Sequence, residues 1–370
     1  MTLQPLPGSL TQLLRESMTA LTAMPDPAGA ARAGVYEEEL AETFDTAHAV
    51  AVSSGTTALQ TALAALGIGP GDEVLVPALT VIMTVSPIVT LGAVPVFVDS
   101  IPDTLDIDYE DAARKTTART KAIIAVHLWG RMGDPARLRM FALGHDLAVI
   151  EDAAQAVGSS RDGYRAGTVG SAGCFSTKDG KVLWSGEGGF VLTGDRTVAE
   201  HARAYRGHWL QPPPGSRPQA ELAINARLAE PLAAIGLANL RRLPVLLERR
   251  RAQAERLVRF LDGAPGLRVL HPAPQEQWNH YSPLLQLNVA QPRAFAEHLA
   301  EQGVPSSTGS FRLVPCDTRP AFTTRDHPPC AGAALILDRT LAVVLDERDD
   351  EAVIDRYAAI ITKEAATWEP

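Results

Sequence analysis

Seven short apolar runs punctuate the first half of the chain: AVAV at 49–52, VLV from Val74, PVFV from Pro95, AIIAV from Ala122, LAVI from Leu147, GCFS from Gly173 and GFVLT from Gly189. Between them apolar positions recur at helical spacing. This alternation predicts one α/β sheet of seven strands, mostly parallel, with helices on both faces. Most of the runs show no polar alternation, as expected of strands covered on both sides. From Val74 to Val98 no residue is charged, which is long enough for a bilayer span. Pro77, Pro87, Pro95 and Gly92 interrupt it, so the stretch reads instead as two buried parallel strands, VLVP and PVFV, joined by a short helix.

The rhythm breaks at QPPPGSRPQ, beginning at Gln211, whose proline and glycine predict an exposed loop. A long helical pattern follows through PLAAIGLANLRRLPVLLERRRAQAERLVRFL, expected to kink near Pro244 with its arginines toward solvent. It reads as the connector between a large domain, residues 1–245, and a smaller α+β domain, residues 246–370. The chain shows no internal repeat.

Charge and cysteine usage narrow the function classes. The formal charge of −9 argues against nucleic acid as a partner, since a phosphate backbone needs a basic face. Cys174, Cys316 and Cys330 are odd in number and lack metal-ligand spacing, so neither a disulfide framework nor a zinc site is expected. The N-terminal MTLQPLPGSLTQLLRESM lacks a basic region followed by an unbroken apolar core. A cytoplasmic protein, with no membrane association, is the expectation.

Three constellations carry candidate chemistry. In AVAVSSGTTALQTALAALG a strand ends at Ser53 and Ser54, and Gly55, Thr56 and Thr57 open an Ala/Leu helix. Free N–H groups and small hydroxyls at a helix start suit an anion such as phosphate, although a plain Ser/Thr cap has the same local pattern. Asp152, in LAVIEDAAQAVG, emerges from the carboxyl edge of an apolar strand, where ligands of open α/β sheets bind. An unpaired carboxylate there is costly, so a cationic partner or a capping role is implied. Gln155 is placed to face the same crevice and Glu151 the other side. In GCFSTKDGKVLWSGEGGFVLT, Ser176, Lys178, Lys181 and Gly186–Glu187–Gly188–Gly189 lie between two strands. A lysine near a phosphate site and an Asp from a neighbouring strand is the arrangement needed for a Schiff base with pyridoxal phosphate.

With these residues in place the chain resembles the DegT/DnrJ/EryC1/StrS family of sugar and aminocyclitol aminotransferases, fold-type I enzymes that use pyridoxal phosphate. The resemblance is carried by SSGTTAL, GDEVLVPALT, PVFVD, VIEDAAQAVGSS, GCFS, the K-x-L-x-x-GEGG run at 181–189, and NARLAEPLAAIGLANL. It implies that Asp152 pairs with the cofactor's protonated ring nitrogen and that Gln155 contacts its phenolic oxygen. Gly55, Thr56 and Ser176 would hold the phosphate. Lys181 matches the family's imine lysine because it stands five residues before the first glycine of GEGG; Lys178 lies off that spacing. Asn225 in AINARL matches the asparagine that reaches the neighbouring subunit's cofactor, which implies a homodimer with shared sites.

The chain also departs from the family pattern. Val81 stands where the family places an aromatic ring that stacks on the cofactor, so that ring is lost or supplied from elsewhere, with Trp129 of VHLWG as the candidate. Ala223 replaces a glycine, Trp184 enters a normally small-residue stretch, and STGSFRLVP lacks a His-Tyr-Pro-like pattern. His127, His208 and Trp209 are candidates to line the acceptor site.

The resemblance implies an aminotransferase that takes its amino group from glutamate or glutamine. The acceptor would be a keto sugar, often nucleotide-linked, or a keto cyclitol, in amino-sugar or antibiotic biosynthesis. Two alternatives stand beside it. One is a sugar dehydratase using the pyridoxamine form, a role associated with histidine in place of the imine lysine and therefore disfavoured by Lys181. The other is a catalytically silent paralogue acting as a binding partner.

Overall fold

A computed structural model gives the fold and describes Arg15 and residues 31–217, 221–322 and 328–369. The N-terminal segment read above for targeting signals lies, apart from Arg15, outside the described residues, as does the end of the QPPPGSRPQ loop; residues 211–217 form an irregular, mostly exposed segment.

All seven expected strands form and join one sheet: β1 (His48–Val52), β2 (Glu73–Pro77), β3 (Val94–Val98), β4 (Thr120–Val126), β5 (Ala148–Asp152), β6 (Ala172–Ser176) and β7 (Gly189–Thr193), in the order β1-β7-β6-β5-β4-β2-β3. Every neighbouring pair is parallel except those made by β7, which runs antiparallel to both β1 and β6. The reason is local. Residues 177–188 return the chain at the same edge where β6 ends, so the next strand has to run backwards. Having two antiparallel partners, β7 leaves β1 and β6 pointing the same way. The carboxyl ends of β1, β2, β5 and β6 therefore share one edge.

Both faces of the sheet are covered. In β1, Val50 and Val52 pack with α2 (Gly55–Ala65) and α3 (Ile82–Thr90), while Ala49 and Ala51 pack toward α1 (Ala31–Thr43) and α7 (Glu230–Leu240). Helices α4 (Tyr109–Lys115), α5 (Pro135–His145) and α6 (Arg196–Arg206) complete the layers. The uncharged stretch 74–98 forms β2, α3 and β3, with the two strands parallel and hydrogen-bonded to one another. Among the described residues no helix is long and apolar enough to cross a membrane.

The expected kinked helix is two helices. The first, α7, ends at Leu240, and α8 (Leu243–Leu261) restarts with Pro244 in its first turn, where the missing N–H costs nothing. Its arginines do not all face water. Arg250 is buried, and its guanidinium donates to the Leu345 carbonyl, tying α8 to the C-terminal part of the chain. There an antiparallel sheet, β8 (Leu267–Leu270), β9 (Leu284–Leu287) and β10 (Thr340–Ala342), packs with α8, α9 (Pro292–Glu301) and α11 (Glu351–Thr367) around a core drawn wholly from residues after 253. Helix α10 (Ala331–Arg339) joins the core of the large sheet instead.

Candidate active site

Strand direction brings the three constellations to one edge. At the end of β1, Ser54 caps α2: its hydroxyl accepts the Thr57 N–H while the Thr57 hydroxyl accepts the Ser54 N–H. This capping box occupies the third amide of the helix and leaves the first two, of Gly55 and Thr56, to an outside acceptor. Gly55 sits directly against the end of β6. A Cβ at this position would lie 2.7 Å from the Ser176 Cβ, so only glycine lets the helix start and Ser176 close into one cup.

At the end of β5, alternation sends Asp152 and Glu151 to opposite faces, as the sequence predicts. Glu151 is fully buried, accepting the amides of Gly167, Val169 and Gly170 and pairing with His127 Nε2 at 2.8 Å. Asp152 is 6 % exposed; its Oδ1 accepts the Ala154 N–H at 3.1 Å and its Oδ2 accepts the Thr84 hydroxyl at 2.7 Å. Beside it on β6, burial pushes the Cys174 thiol well above its ordinary range, and the carboxylates of Asp152 and Glu151 add to the effect.

Lys181 lies on the return between β6 and β7. With Ala154, Gln155, Val157, Ser176, Val182, Leu183, Asn279 and Tyr281 it lines a narrow cleft. Its ammonium sits 4.7 Å from the centre of the Tyr281 ring. Lys178 is exposed and does not line this cleft. Gln155 accepts the Trp129 N–H through Oε1 at 2.7 Å. Because that amide can only donate, the Gln155 NH₂ group is left free to donate elsewhere.

Other expected residues lie elsewhere. Trp129 does not supply a ring to the cleft: its backbone is left-handed (φ 62°) and its indole is buried, donating to Ser307 Oγ at 2.8 Å. His127 is buried against Glu151 and lines a second cleft, with Asp106, Trp129 and Arg131 among its walls. Trp209 packs among Ala64, Leu91, Ala204 and Tyr205, the first two in the C-terminal turn of α2 and just past the end of α3, far from the helix start at Gly55. His208 is exposed. Asn225 is also exposed and does not line the cleft of its own chain; the next residue, Ala226, accepts the Ser53 N–H through its carbonyl.

A family model described as the DegT/DnrJ/EryC1/StrS aminotransferase family matches residues 30–358. The chain belongs to this family. It is 41 % identical over 209 residues to GDP-perosamine synthase of Caulobacter vibrioides, covering 56 % of each chain. It is 41 % identical over 242 residues to the L-glutamine:2-deoxy-scyllo-inosose aminotransferase of Micromonospora echinospora, covering 63 % of this chain and 57 % of that one. The chain thus spans little more than half the length of these curated relatives. Among solved structures, DesV of S. venezuelae, in complex with a ketimine intermediate, superposes with a TM-score of 0.85 at 30 % identity, over 97 % of this chain and 95 % of that one.

Within this DegT-family fold the sequence reading missed three residues at the site. Asn279 and Tyr281 come from the approach to β9, about a hundred residues beyond Lys181 and with no local motif. The Asn279 side chain donates to the carbonyls of Gln155 and Val157 at 2.9 Å and accepts the Tyr281 N–H, which clamps this segment onto the cleft. His280 between them is pushed down to about 4 by burial, with the positive Arg251 acting in the same direction. Thr84, the third, had one available signal: it follows Thr80 by four residues, one helical turn.

Proposed function

We propose that the protein is a pyridoxal-phosphate aminotransferase that moves an amino group from glutamate or glutamine to a keto sugar, often nucleotide-linked, or to a keto cyclitol. We place it in cytoplasmic amino-sugar or secondary-metabolite biosynthesis. The observation that carries the reading is the convergence of Lys181, Gln155 and Ser176 on one cleft, with Gly55 pressed against Ser176 and Asp152 buried at the same sheet edge.

The residues suit this cofactor. The Gly55 and Thr56 amides and the Ser176 hydroxyl form a cup for a phosphate at a helix start. Asp152 offers a buried carboxylate to a protonated ring nitrogen, and the free Gln155 NH₂ offers a donor to the phenolic oxygen. When bound, pyridoxal phosphate supplies an electron-accepting ring that stores the amino group between the two half reactions. Lys181 would hold the cofactor's aldehyde carbon through Nζ and, when free, would carry a proton at that amine. Asp152 keeps the ring-nitrogen proton in place throughout. Both acceptor classes have support among the relatives, a GDP-perosamine synthase in one case and an L-glutamine:2-deoxy-scyllo-inosose aminotransferase in another. A lysine rather than a histidine at position 181 favours transamination over dehydration.

Borohydride reduction of the holoenzyme followed by peptide mapping tests the assignment. The pyridoxyl label is expected on Lys181; a label on Lys178 overturns it.

The same reading makes the protein a homodimer, divided near residue 245 into a cofactor-binding domain and a smaller one, with Asn225 serving the partner's cofactor phosphate. Mixing an Asn225→Ala chain with a Lys181→Ala chain tests the sharing. In the mixed dimer the Lys181→Ala subunit lends its intact Asn225 to the site that holds the other chain's Lys181. Activity is expected to rise above that of either parent. Mixed dimers that form without recovery would confine Asn225 to its own chain.

A further inference from the structure

We infer that Thr84 is a positioning residue that holds Asp152 as an oriented carboxylate, and that Thr80 sets Thr84 in turn. This rests on the reading of Asp152 as the partner of the cofactor's ring nitrogen and extends it to two residues that lie outside the cleft lining.

Donor arithmetic fixes the direction of the chain. The Thr84 hydroxyl lies 2.7 Å from Asp152 Oδ2 and 2.7 Å from the Thr80 hydroxyl, and both threonines are fully buried. A hydroxyl has one hydrogen, and an ionised carboxylate can only accept. Thr84 therefore spends its hydrogen on Asp152, and Thr80 must donate to Thr84. The relay Thr80→Thr84→Asp152 has a single direction as long as Asp152 is charged, and each bond polarises the next. The Ala154 N–H holds the other carboxylate oxygen. Of the roughly four lone-pair sites of the carboxylate, these two donors fill two and leave room for a third, charged donor.

The far end of the relay is anchored in the C-terminal part of the chain. The Cys316 thiol donates to the Thr80 carbonyl at 3.2 Å, and the Cys316 N–H donates to the Ala78 carbonyl at 2.9 Å. The loop between β2 and α3 is thereby held by residue 316 at one side and delivers a hydroxyl to Asp152 at the other.

The experiment uses holoenzyme loaded with pyridoxal phosphate enriched in ¹⁵N at the ring nitrogen. Thr84→Val keeps the shape and removes the hydroxyl. It is expected to move the ring-nitrogen resonance toward that of unprotonated pyridine and to weaken cofactor binding about tenfold or more, the usual effect of losing a hydrogen bond to a charged group. Thr84→Ser restores the hydroxyl and is expected to return both readings close to the parental values. Thr80→Val, one step further out, is expected to shift both in the same direction by less, and it carries the test if Thr84→Val does not fold. Asp152→Asn serves as the control. If it alters the resonance and the affinity while Thr84→Val and Thr80→Val leave them parental, the relay has no positioning role. If Asp152→Asn also leaves both unchanged, the reading of Asp152 falls and the relay falls with it.

Discussion

Alanine at position 181 is expected to lower transamination by roughly 10²- to 10⁴-fold, the usual contribution of a positioned proton carrier, and by more if the covalent hold on the aldehyde also limits the rate. The side chain is half-buried at the cleft, and its close neighbour there is the face of the Tyr281 ring. Removing it uncovers no buried ion pair, so the stability cost is expected to stay within about 1 kcal/mol. Steady-state kinetics alongside thermal unfolding of the same samples separates the two effects. Lys178→Ala is the matched comparison, because Lys178 is exposed and off the cleft. A full loss in Lys178→Ala with near-parental turnover in Lys181→Ala would exchange the roles of the two lysines.

Asp152→Asn is expected to keep the fold and part of the cofactor affinity yet lose most of the activity. The substitution preserves shape and leaves an acceptor for the Thr84 hydroxyl, but it removes the charge facing the ring nitrogen. Breaking a buried charge pair by neutralising one partner costs about 3–5 kcal/mol, which corresponds to a rate loss on the order of 10² to 10³ or more if the pair persists through the transition state. The absorption spectrum of the loaded variant should show bound cofactor while turnover collapses. Transamination at the parental rate would mean that Asp152 does not hold the ring-nitrogen proton.

Much of the fold is legible along the chain because its signals are local. Each of the seven strands overlaps an apolar run and ends within two residues of it, since a strand buried on both faces is mostly apolar. Alternation within β5 separates Asp152 from Glu151 for the same local reason, a period of two. Gly55 is readable as the opening of a helix, but its purpose is not. Its lack of a Cβ matters only because Ser176, 121 positions later, packs against it.

The rings and imidazoles read from the sequence as stacking or acceptor-site candidates show where local reading stops. His127, Trp129 and Trp209 are the residue types that line binding sites, and composition cannot tell which way they face. A left-handed backbone at Trp129 turns the indole into the core, toward Ser307. The Glu151 carboxylate, already holding three backbone amides, draws in His127 as well. Conversely, nothing in the run NHYSP marks Asn279 and Tyr281 as neighbours of Lys181. They reach the cleft because the segment before β9 is clamped onto the carbonyls of Gln155 and Val157.

The sequence by itself determined the strand segments, the glycine-opened helix, the carboxylate and lysine in order along the sheet, and through their spacing the family. The strand segments and the helix opening depend on residues a few positions apart, where backbone periodicity alone sets side-chain direction, and the order of carboxylate and lysine is read directly along the chain. Only the tertiary structure decided that β7 inserts antiparallel between β1 and β6, and so aligns the ends of β1, β5 and β6 at one edge. It alone brought Thr84 to Asp152 and Tyr281 to Lys181. Those pairings join residues about 70 to 100 positions apart, and contacts at that range are set by how whole elements pack rather than by any pattern in the intervening chain.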